Sequence, residues 1–427
     1  MATAALSLYR LVTRAAEPLV PLLLKRRIAN GKEEVTRINE RLGYPERPRP
    51  PGPLVWLHGA SIGETLSLMP LVSALGERGL TILLTSGTVT SAEIAASRLP
   101  AGAIHQYLPV DTPGAARRFI AHWRPNVALF AESELWPNLI LTAKAAGVKL
   151  AIVNGRMSER SAKSWQRLPK SIARVLGAFD LCLAQSGADA ERFSRLGAAN
   201  ARFIGNLKFD GPAPHADAAM LADLQQRIGT RPVLVAASTH PGEDEVVLAA
   251  HLAAEMVHPG LITVLAPRHP QRGDDIERLA RSAGLNPARR SRQELPDQAT
   301  RIYIADTVGE LGLFYRLGPL AVLGGSFIAH GGQNPIEPAK LGVGVLHGPH
   351  VFNFTDVYAA FDAAGGAELV ADPDRLGHRI ADLLGDSAGL GRMQKAAEAV
   401  AAELSGALGR TLEALEPLLP RVAEQSA

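Results

Sequence analysis

The sequence predicts two doubly wound α/β domains facing one another across a cleft, each a mostly parallel sheet covered by helices on both faces. Three observations carry this expectation. Short apolar runs alternate with helical patterns, as a parallel sheet with crossover helices requires. The alternation breaks at residues 209–216, where Gly211, Pro212 and Pro214 read as a linker, and then restarts. The length, 427 residues, exceeds the roughly 100–200 of one ordinary domain.

The elements follow in order. Leu6, Leu8, Leu11, Val12 and the run 19–24 are apolar, interrupted by Arg10, Arg14, Glu17, Pro18 and Pro21. No stretch approaches the ~20 apolar residues of a membrane span. The broken run also lacks the continuous apolar core of a secretory signal. Lys25, Arg26, Arg27 and Lys32 come next. Apolar residues with basic flanks suit an interfacial helix on anionic lipid; the alternative is an amphipathic helix packed on the protein's own surface. A proline-rich lead-in spans 48–53. Buried strands are expected at 54–57, 81–85, 104–110, 127–130, 149–153 and 181–184, with helices between them, for example at 65–78 and 158–177. After the linker, strands are expected at 233–237, 261–266, 301–305, 320–323 and 343–346. This gives an N-terminal helical segment (1–47), a first domain (48–210), a second domain (211–400) and an alanine-rich helical tail (401–427).

Composition narrows the function. At 47% hydrophobic and 20% charged, the chain can bury a large core. Its net charge of +3, from 45 basic and 42 acidic residues, is too mild to indicate a nucleic-acid partner. The single cysteine, Cys182, lies in an expected strand. It fits packing in a reducing cytoplasm and excludes both an internal disulfide and a cysteine-based metal site.

Ligands of doubly wound sheets sit beyond the carboxyl ends of the strands, so the motifs there carry the chemistry. His58-Gly-Ala-Ser-Ile-Gly-Glu64 follows the first strand. Gly59 and Gly63 permit close approach of a ligand. Glu64 falls in the first helical turn, where its ionised form is stabilised and can act as a general base. The same stretch contains Gly-x-Ser-x-Gly around Ser61, the nucleophile elbow of serine hydrolases, but no earlier strand is available to supply the oxyanion donor. Glu132-Ser-Glu134-Leu-Trp-Pro-Asn138 places two acidic groups and an indole after the fourth strand. Lys208, in Gly205-Asn-Leu-Lys-Phe-Asp210, sits at the domain junction. In the second domain Arg268–His269, Asp306 to Leu311, Gly324-Gly-Ser326 and Asn334-Pro-Ile-Glu337 follow consecutive strands. Backbone N–H groups at glycine turns and helix starts bind phosphate. Arg268 can pair with phosphate, Asn334 can cap a helix that begins at Pro335, and Glu337 can accept from ribose hydroxyls. These features predict a nucleotide site.

Together the motifs resemble those of the Kdo transferases of lipopolysaccharide assembly, Kdo being 3-deoxy-D-manno-octulosonic acid. The resemblance covers nearly the whole chain and includes Arg37-Ile-Asn-Glu-Arg-Leu-Gly43, Asn154-Gly-Arg-Met-Ser158 and Ser238-Thr-His-Pro241 beside the motifs above. It implies an inverting glycosyltransferase of the GT-B type, with two Rossmann-like domains. The first would take the acceptor, a disaccharide lipid A precursor (lipid IVA). The second would take the donor substrate CMP-Kdo, with no cofactor and no metal. The resemblance maps the general base onto Glu64 and assisting groups onto Glu132 and Lys208, with Glu134 the competing carboxylate. It maps the CMP site onto Arg268, His269, Val308, Gly309, Glu310, Asn334, Pro335, Ile336 and Glu337. The expected location is the cytoplasmic side of the inner membrane, held peripherally or monotopically on anionic lipid. A UDP-sugar transferase of the same fold, a serine hydrolase using Ser61, and a non-catalytic binding protein are the alternatives.

Overall fold

The computed structural model describes residues 3–211 and 213–421; Pro212 of the linker and residues 422–427 of the tail lie outside the described residues. The chain divides into two compact units, Met1–Gly211 with Ser405–Ala427, and Pro212–Leu404.

The first unit is built on seven parallel strands: β1 (Leu54–His58), β2 (Thr81–Ser86), β3 (Ile104–Tyr107), β4 (Val127–Ala131), β5 (Lys149–Gly155), β6 (Leu181–Ala184) and β7 (Ala201–Phe203). Their order is β3-β2-β1-β4-β5-β6-β7, so the winding reverses between β1 and β4. All residues of β1 and β4 are buried, which is why they read as unbroken apolar runs. Trp56 anchors this sheet. Its ring packs against Phe119 and Phe130 at 4.8 and 5.0 Å, and its indole N–H donates to Thr85 Oγ1 at 2.8 Å, the partner a buried tryptophan needs.

The second unit repeats the plan with β8 (Val233–Thr239), β9 (Ile262–Pro267), β10 (Pro287–Arg289), β11 (Ile302–Ile304), β12 (Leu320–Leu323), β13 (Gly344–His347) and β14 (Ala367–Leu369). The order β10-β11-β9-β8-β12-β13-β14 reverses between β8 and β12. Ligand crevices of such sheets lie at these reversals.

Three strands escape the sequence reading: β7, β10 and β14. Each is three residues long and lies at a sheet edge, so it lacks the long apolar run of a strand buried on both faces. The helix expected at 158–177 is two helices, Glu159–Trp165 and Pro169–Leu176. Pro169 cannot sit in a helix interior and pushes Leu168 out of helical geometry. It opens the second helix instead.

The ends of the chain build onto the first unit. After the helix Ser387–Leu404, the helix Ala407–Leu415 inserts Leu415 into the core formed by β1, β2 and β4. Asp210 fixes that return by accepting from the backbone N–H groups of Gly406 and Leu408. The N-terminal helix Ala4–Ala16 docks through polar contacts: Tyr9 Oη donates to Asp111 Oδ2 at 2.9 Å, and Asn138 Nδ2 to Thr13 Oγ1 at 3.1 Å. Val20 and Leu24 of the next helix, Val20–Ala29, are buried. Leu8, Leu11, Val12, Leu19, Leu22 and Leu23 are left outside, each more than half exposed. They repeat the i, i+3, i+4 spacing of one helical face. The segment thus packs on its own unit by one side and presents an apolar stripe on the other. Among the described residues no helix is long and apolar enough to cross a membrane.

Candidate active site

In the first unit, the reversal between β1 and β4 brings Glu64 and Glu132 to adjacent strand ends. β1 runs into Gly59, and a side chain there would press on the Glu64 backbone at 3.1 Å. Ser61 then caps the helix Ile62–Glu77, its Oγ accepting from the Glu64 N–H at 3.3 Å. The Glu64 carboxylate folds back to accept from the Ala60 N–H at 2.7 Å and from Ser61 Oγ at 2.8 Å. The carboxylate reaches back past the capping residue, to the Ala60 N–H and not to that of Ser61, in a variant of the capping box. This arrangement fixes the carboxylate in one place while leaving lone pairs for a further donor. Burial raises the pKa of Glu64; the two hydrogen bonds oppose the rise, and the charges of Glu134 and Glu132 add to it. A carboxylate displaced toward neutrality is a stronger base than an ordinary one. Ser61 Oγ is committed to Glu64, and His58 is buried against Thr85, so no nucleophile–histidine pair forms here.

Glu132 has φ 53°, an uncommon conformation for a non-glycine residue. Its N–H donates to Val153 O of β5 at 3.2 Å. Its Oε1 meets Lys208 Nζ at 3.0 Å. Lys208 is placed by a one-turn helix, Leu207–Phe209, pinned at its start where Asn154 Oδ1 accepts from the Leu207 N–H at 3.0 Å. Asn154 is itself left-handed, at φ 50°, and buried. Glu134 has different partners. It accepts from Trp136 Nε1 at 2.9 Å and lies 3.6 Å from His58 Nε2. Burial raises the pKa of Glu134, but the nearby His58 and the Trp136 hydrogen bond outweigh it and leave the pKa lowered. Glu134 therefore orients core groups, whereas Glu132 holds the accessible lysine.

In the second unit, a cavity of about 140 Å³ opens at the ends of β8, β9 and β11, lined by Ser238, Arg268, Val308, Gly309, Leu311 and Phe314 among others. Val308 is 85% exposed at its rim. Arg268 is exposed and makes no ion pair with the described residues. Beside it stand three imidazoles: His240 lies 3.9 Å from His330 and 6.0 Å from His269 between ring centroids. The pKa of His240 falls to about 4 through burial and then through the positive surroundings of His330, His269, Arg268 and Arg272. Burial disfavours any charge there, while the charge of Arg268 in those surroundings favours an anion. Glu337 is largely buried. Burial raises its pKa, opposed by its hydrogen bond with Asn334 and by the charges of Lys340 and Arg268.

Other expected residues sit differently. The Glu310 carboxylate is held by both Arg290 nitrogens, at 2.6 and 3.0 Å, and by Thr307 Oγ1 at 2.5 Å. It shapes the loop whose Val308 and Gly309 line the cavity. Ile336 is in the core. The helix expected to begin at Pro335 begins at Ile336, runs only to Ala339, and has Asn334 Oδ1 accepting from the Ile336 N–H at 3.1 Å. One turn carries little of a helix macrodipole. The glycine turn after β12 also departs from expectation. Its Gly325, Ser326 and Phe327 N–H groups donate to the Glu243 carboxylate at 2.6, 3.0 and 2.9 Å, and the His240 N–H joins them at 3.0 Å. An internal carboxylate occupies the cradle reserved for phosphate. The acidic start of the helix Glu243–Glu255 was the available signal. Among the described residues no group of three or more His, Cys, Asp or Glu is arranged to hold a metal ion.

Residues 36–211 match the family model for 3-deoxy-D-manno-octulosonic-acid transferase (kdotransferase). The 3-deoxy-D-manno-octulosonic acid transferase of Bordetella pertussis is 38% identical over 435 residues, 96% of this chain and 99% of that protein. A probable mitochondrial 3-deoxy-D-manno-octulosonic acid transferase of Arabidopsis thaliana is 37% identical over 368 residues, 84% of this chain and 82% of that one. Among solved structures, a glycosyltransferase from Rickettsia africae is similar at a TM-score of 0.60, with 12% identity, over 87% of this chain and 99% of that chain. That likeness agrees with two parallel, Rossmann-like domains of the GT-B type. The end-to-end identity to the Bordetella protein settles the family: this chain belongs to the Kdo transferases and is a glycosyltransferase.

Proposed function

We propose that the protein transfers Kdo from CMP-Kdo to a hydroxyl of the lipid A precursor (lipid IVA), with inversion at the anomeric carbon and Glu64 as general base. The observation that carries this reading is the Glu64 carboxylate, fixed by two hydrogen bonds at the β1/β4 reversal with its pKa raised. In the proposed reaction Glu64 takes the proton of the acceptor hydroxyl as its oxygen attacks the anomeric carbon. The bond from that carbon to the CMP phosphate oxygen breaks, and CMP leaves with the electron pair. Arg268 offsets the charge on the departing phosphate, and His269 can donate a hydrogen bond to it. The Val308–Gly309 rim and Glu337 hold the nucleoside. With this positive charge in place the reaction needs no metal, so transfer should persist in excess chelator. Lys208, held by Glu132, faces the acceptor or the Kdo carboxylate. Members of the family carry Kdo transferase in their names, which supports this donor over a UDP-sugar.

The apolar stripe of the N-terminal helices, flanked by Arg10, Arg14 and Lys25 to Arg27, supports peripheral docking on anionic lipid at the cytoplasmic face of the inner membrane. A docked enzyme reaches the acceptor's head group without drawing its acyl chains into water, at about 0.8 kcal/mol per CH₂. The test of the base is Glu64→Gln, which should retain CMP binding by calorimetry and lose turnover by about 10²–10⁴-fold. Near-normal turnover would remove Glu64 from the role. Ser61→Ala should be far milder, and abolished activity in that variant would favour the hydrolase alternative.

A further inference from the structure

A second charged feature lies on the first unit outside the groups just described. Between residues 156 and 174 the chain carries Arg156, Arg160, Lys163, Arg167, Lys170 and Arg174 against one carboxylate, Glu159, in a protein whose net charge is only +3. All six cations are exposed. Among the described residues only Lys163 has an ion-pair partner, Glu159 at 3.7 Å, and Glu159 is shared with Arg192. Arg160, Lys163, Ser164 and Arg167 line an open concavity of about 530 Å³. Arg160, Lys163 and Ser164 share one face of the helix Glu159–Trp165, and Arg167 follows in the turn after it. Arg160 and Lys163 are like charges three apart on that helix, a spacing that is unfavourable. A hydroxyl and three cations converging on one hollow suit a group with several anionic oxygens, which arginine can meet with two parallel hydrogen bonds.

The position of the hollow bears on what fills it. The helix Glu159–Trp165 leaves the carboxyl end of β5, and β5 pairs with β4, which leads into Glu132. The basic run therefore begins at the edge of the sheet that carries the proposed catalytic groups. It ends at the helix Pro169–Leu176, where Ser171 Oγ lies 2.7 Å from Thr3 Oγ1, the cap of the N-terminal helix with the exposed apolar stripe. Leu168, between the two, is 48% exposed. An amphiphile with its tail at that stripe and its head at the β1/β4 reversal would pass this surface. We propose that the Arg160–Lys163–Arg167 hollow is a receptor for a phosphate group on the sugar head of the membrane-embedded acceptor. The proposal rests on the reading that the acceptor is a lipid. The acceptor is preferred over bulk anionic lipid because the feature is a discrete hollow joined to the catalytic edge, whereas Arg10, Arg14 and Lys25 to Arg27 already supply diffuse attraction.

The test is Arg160→Ala with Arg167→Ala, both on exposed positions, assayed in neutral detergent micelles. The acceptors are a phosphorylated acceptor lipid and the same lipid after phosphatase treatment. The KM for the phosphorylated acceptor should rise about 10–100-fold at unchanged kcat, with the KM for CMP-Kdo unmoved. The Arg160→Lys, Arg167→Lys pair should recover most of the loss. On the dephosphorylated acceptor, wild type and variant should coincide. An equal rise on both acceptors, or no rise, overturns the proposal. So does a defect seen only on anionic vesicles, which would assign the hollow to bulk lipid. If the wild type transfers Kdo to neither acceptor, the functional reading fails by itself. Equilibrium binding of the phosphorylated lipid in the same micelles then decides the hollow, with weaker binding by the double variant supporting it and equal binding refuting it.

Discussion

Glu243→Gln probes the least expected feature of the second unit. The Glu243 carboxylate is buried and accepts four backbone N–H groups, two on each oxygen: Ser326 and Phe327 on Oε1, His240 and Gly325 on Oε2. It joins the end of β8 to the turn after β12, across the reversal of the sheet. Glutamine preserves shape and keeps one oxygen. Its amide nitrogen then faces two N–H donors with no acceptor between them. Each buried donor left unmade costs about 1–3 kcal/mol, so the substitution should cost about 2–6 kcal/mol. In a unit of this size, a loss of about 4 kcal/mol lowers the melting temperature by roughly 8–16 °C. Scanning calorimetry with and without saturating CMP measures this loss, with Glu245→Gln as the exposed control, expected within about 0.5 kcal/mol of wild type. CMP binding should weaken too, because His240 and the turn lose their common anchor. A Glu243→Gln protein that melts with wild type and binds CMP normally would refute the keystone role and return the glycine turn to the ligand.

Other outcomes are equally specific. In the proposed reaction Glu64 must be ionised to accept a proton, and burial with the charges of Glu134 and Glu132 raises its pKa. The acid limb of kcat/KM should therefore fall above about pH 4.3, the ordinary glutamate value. Glu132→Gln, which removes one of those charges, should move that limb to lower pH; a limb that stays put or rises would separate it from Glu64. Replacing Leu19, Leu22 and Leu23 by serine should leave the fold intact, since these side chains are 64%, 68% and 54% exposed. At about 1 kcal/mol for each partly exposed leucine, vesicle binding should weaken by roughly 100-fold. Unchanged flotation with vesicles would deny the segment a lipid role. Burial pushes the Cys182 thiol up to about 12, so a thiol reagent should leave the native protein unmodified and label it only on unfolding. Rapid labelling under native conditions would contradict the packing.

How far the sequence discloses this molecule depends on how local each signal is. The strands β1, β4, β8 and β12 are buried on both faces, and that burial is written directly as unbroken apolar residues. The strands at the edges are not, because three residues beside solvent need no such run. The position of Glu64 was legible for the same reason as β1: the strand, the glycine turn and the first turn of the next helix are consecutive. The partners of Glu132 and Glu134 were not legible, since Lys208 and His58 lie on other elements. The glycine turn after β12 shows the limit most sharply. Gly324-Gly-Ser326 has the residues of a phosphate cradle, and its amides do converge on an anion. The anion is Glu243, more than 80 residues away in sequence. A motif can state which donors a turn offers, while only the packed chain decides which acceptor takes them. Because Glu243 satisfies those donors without a ligand, the turn would be organised before the proposed nucleotide binds. Binding energy from the exposed Arg268 and the adjoining cavity then need not be spent on ordering it.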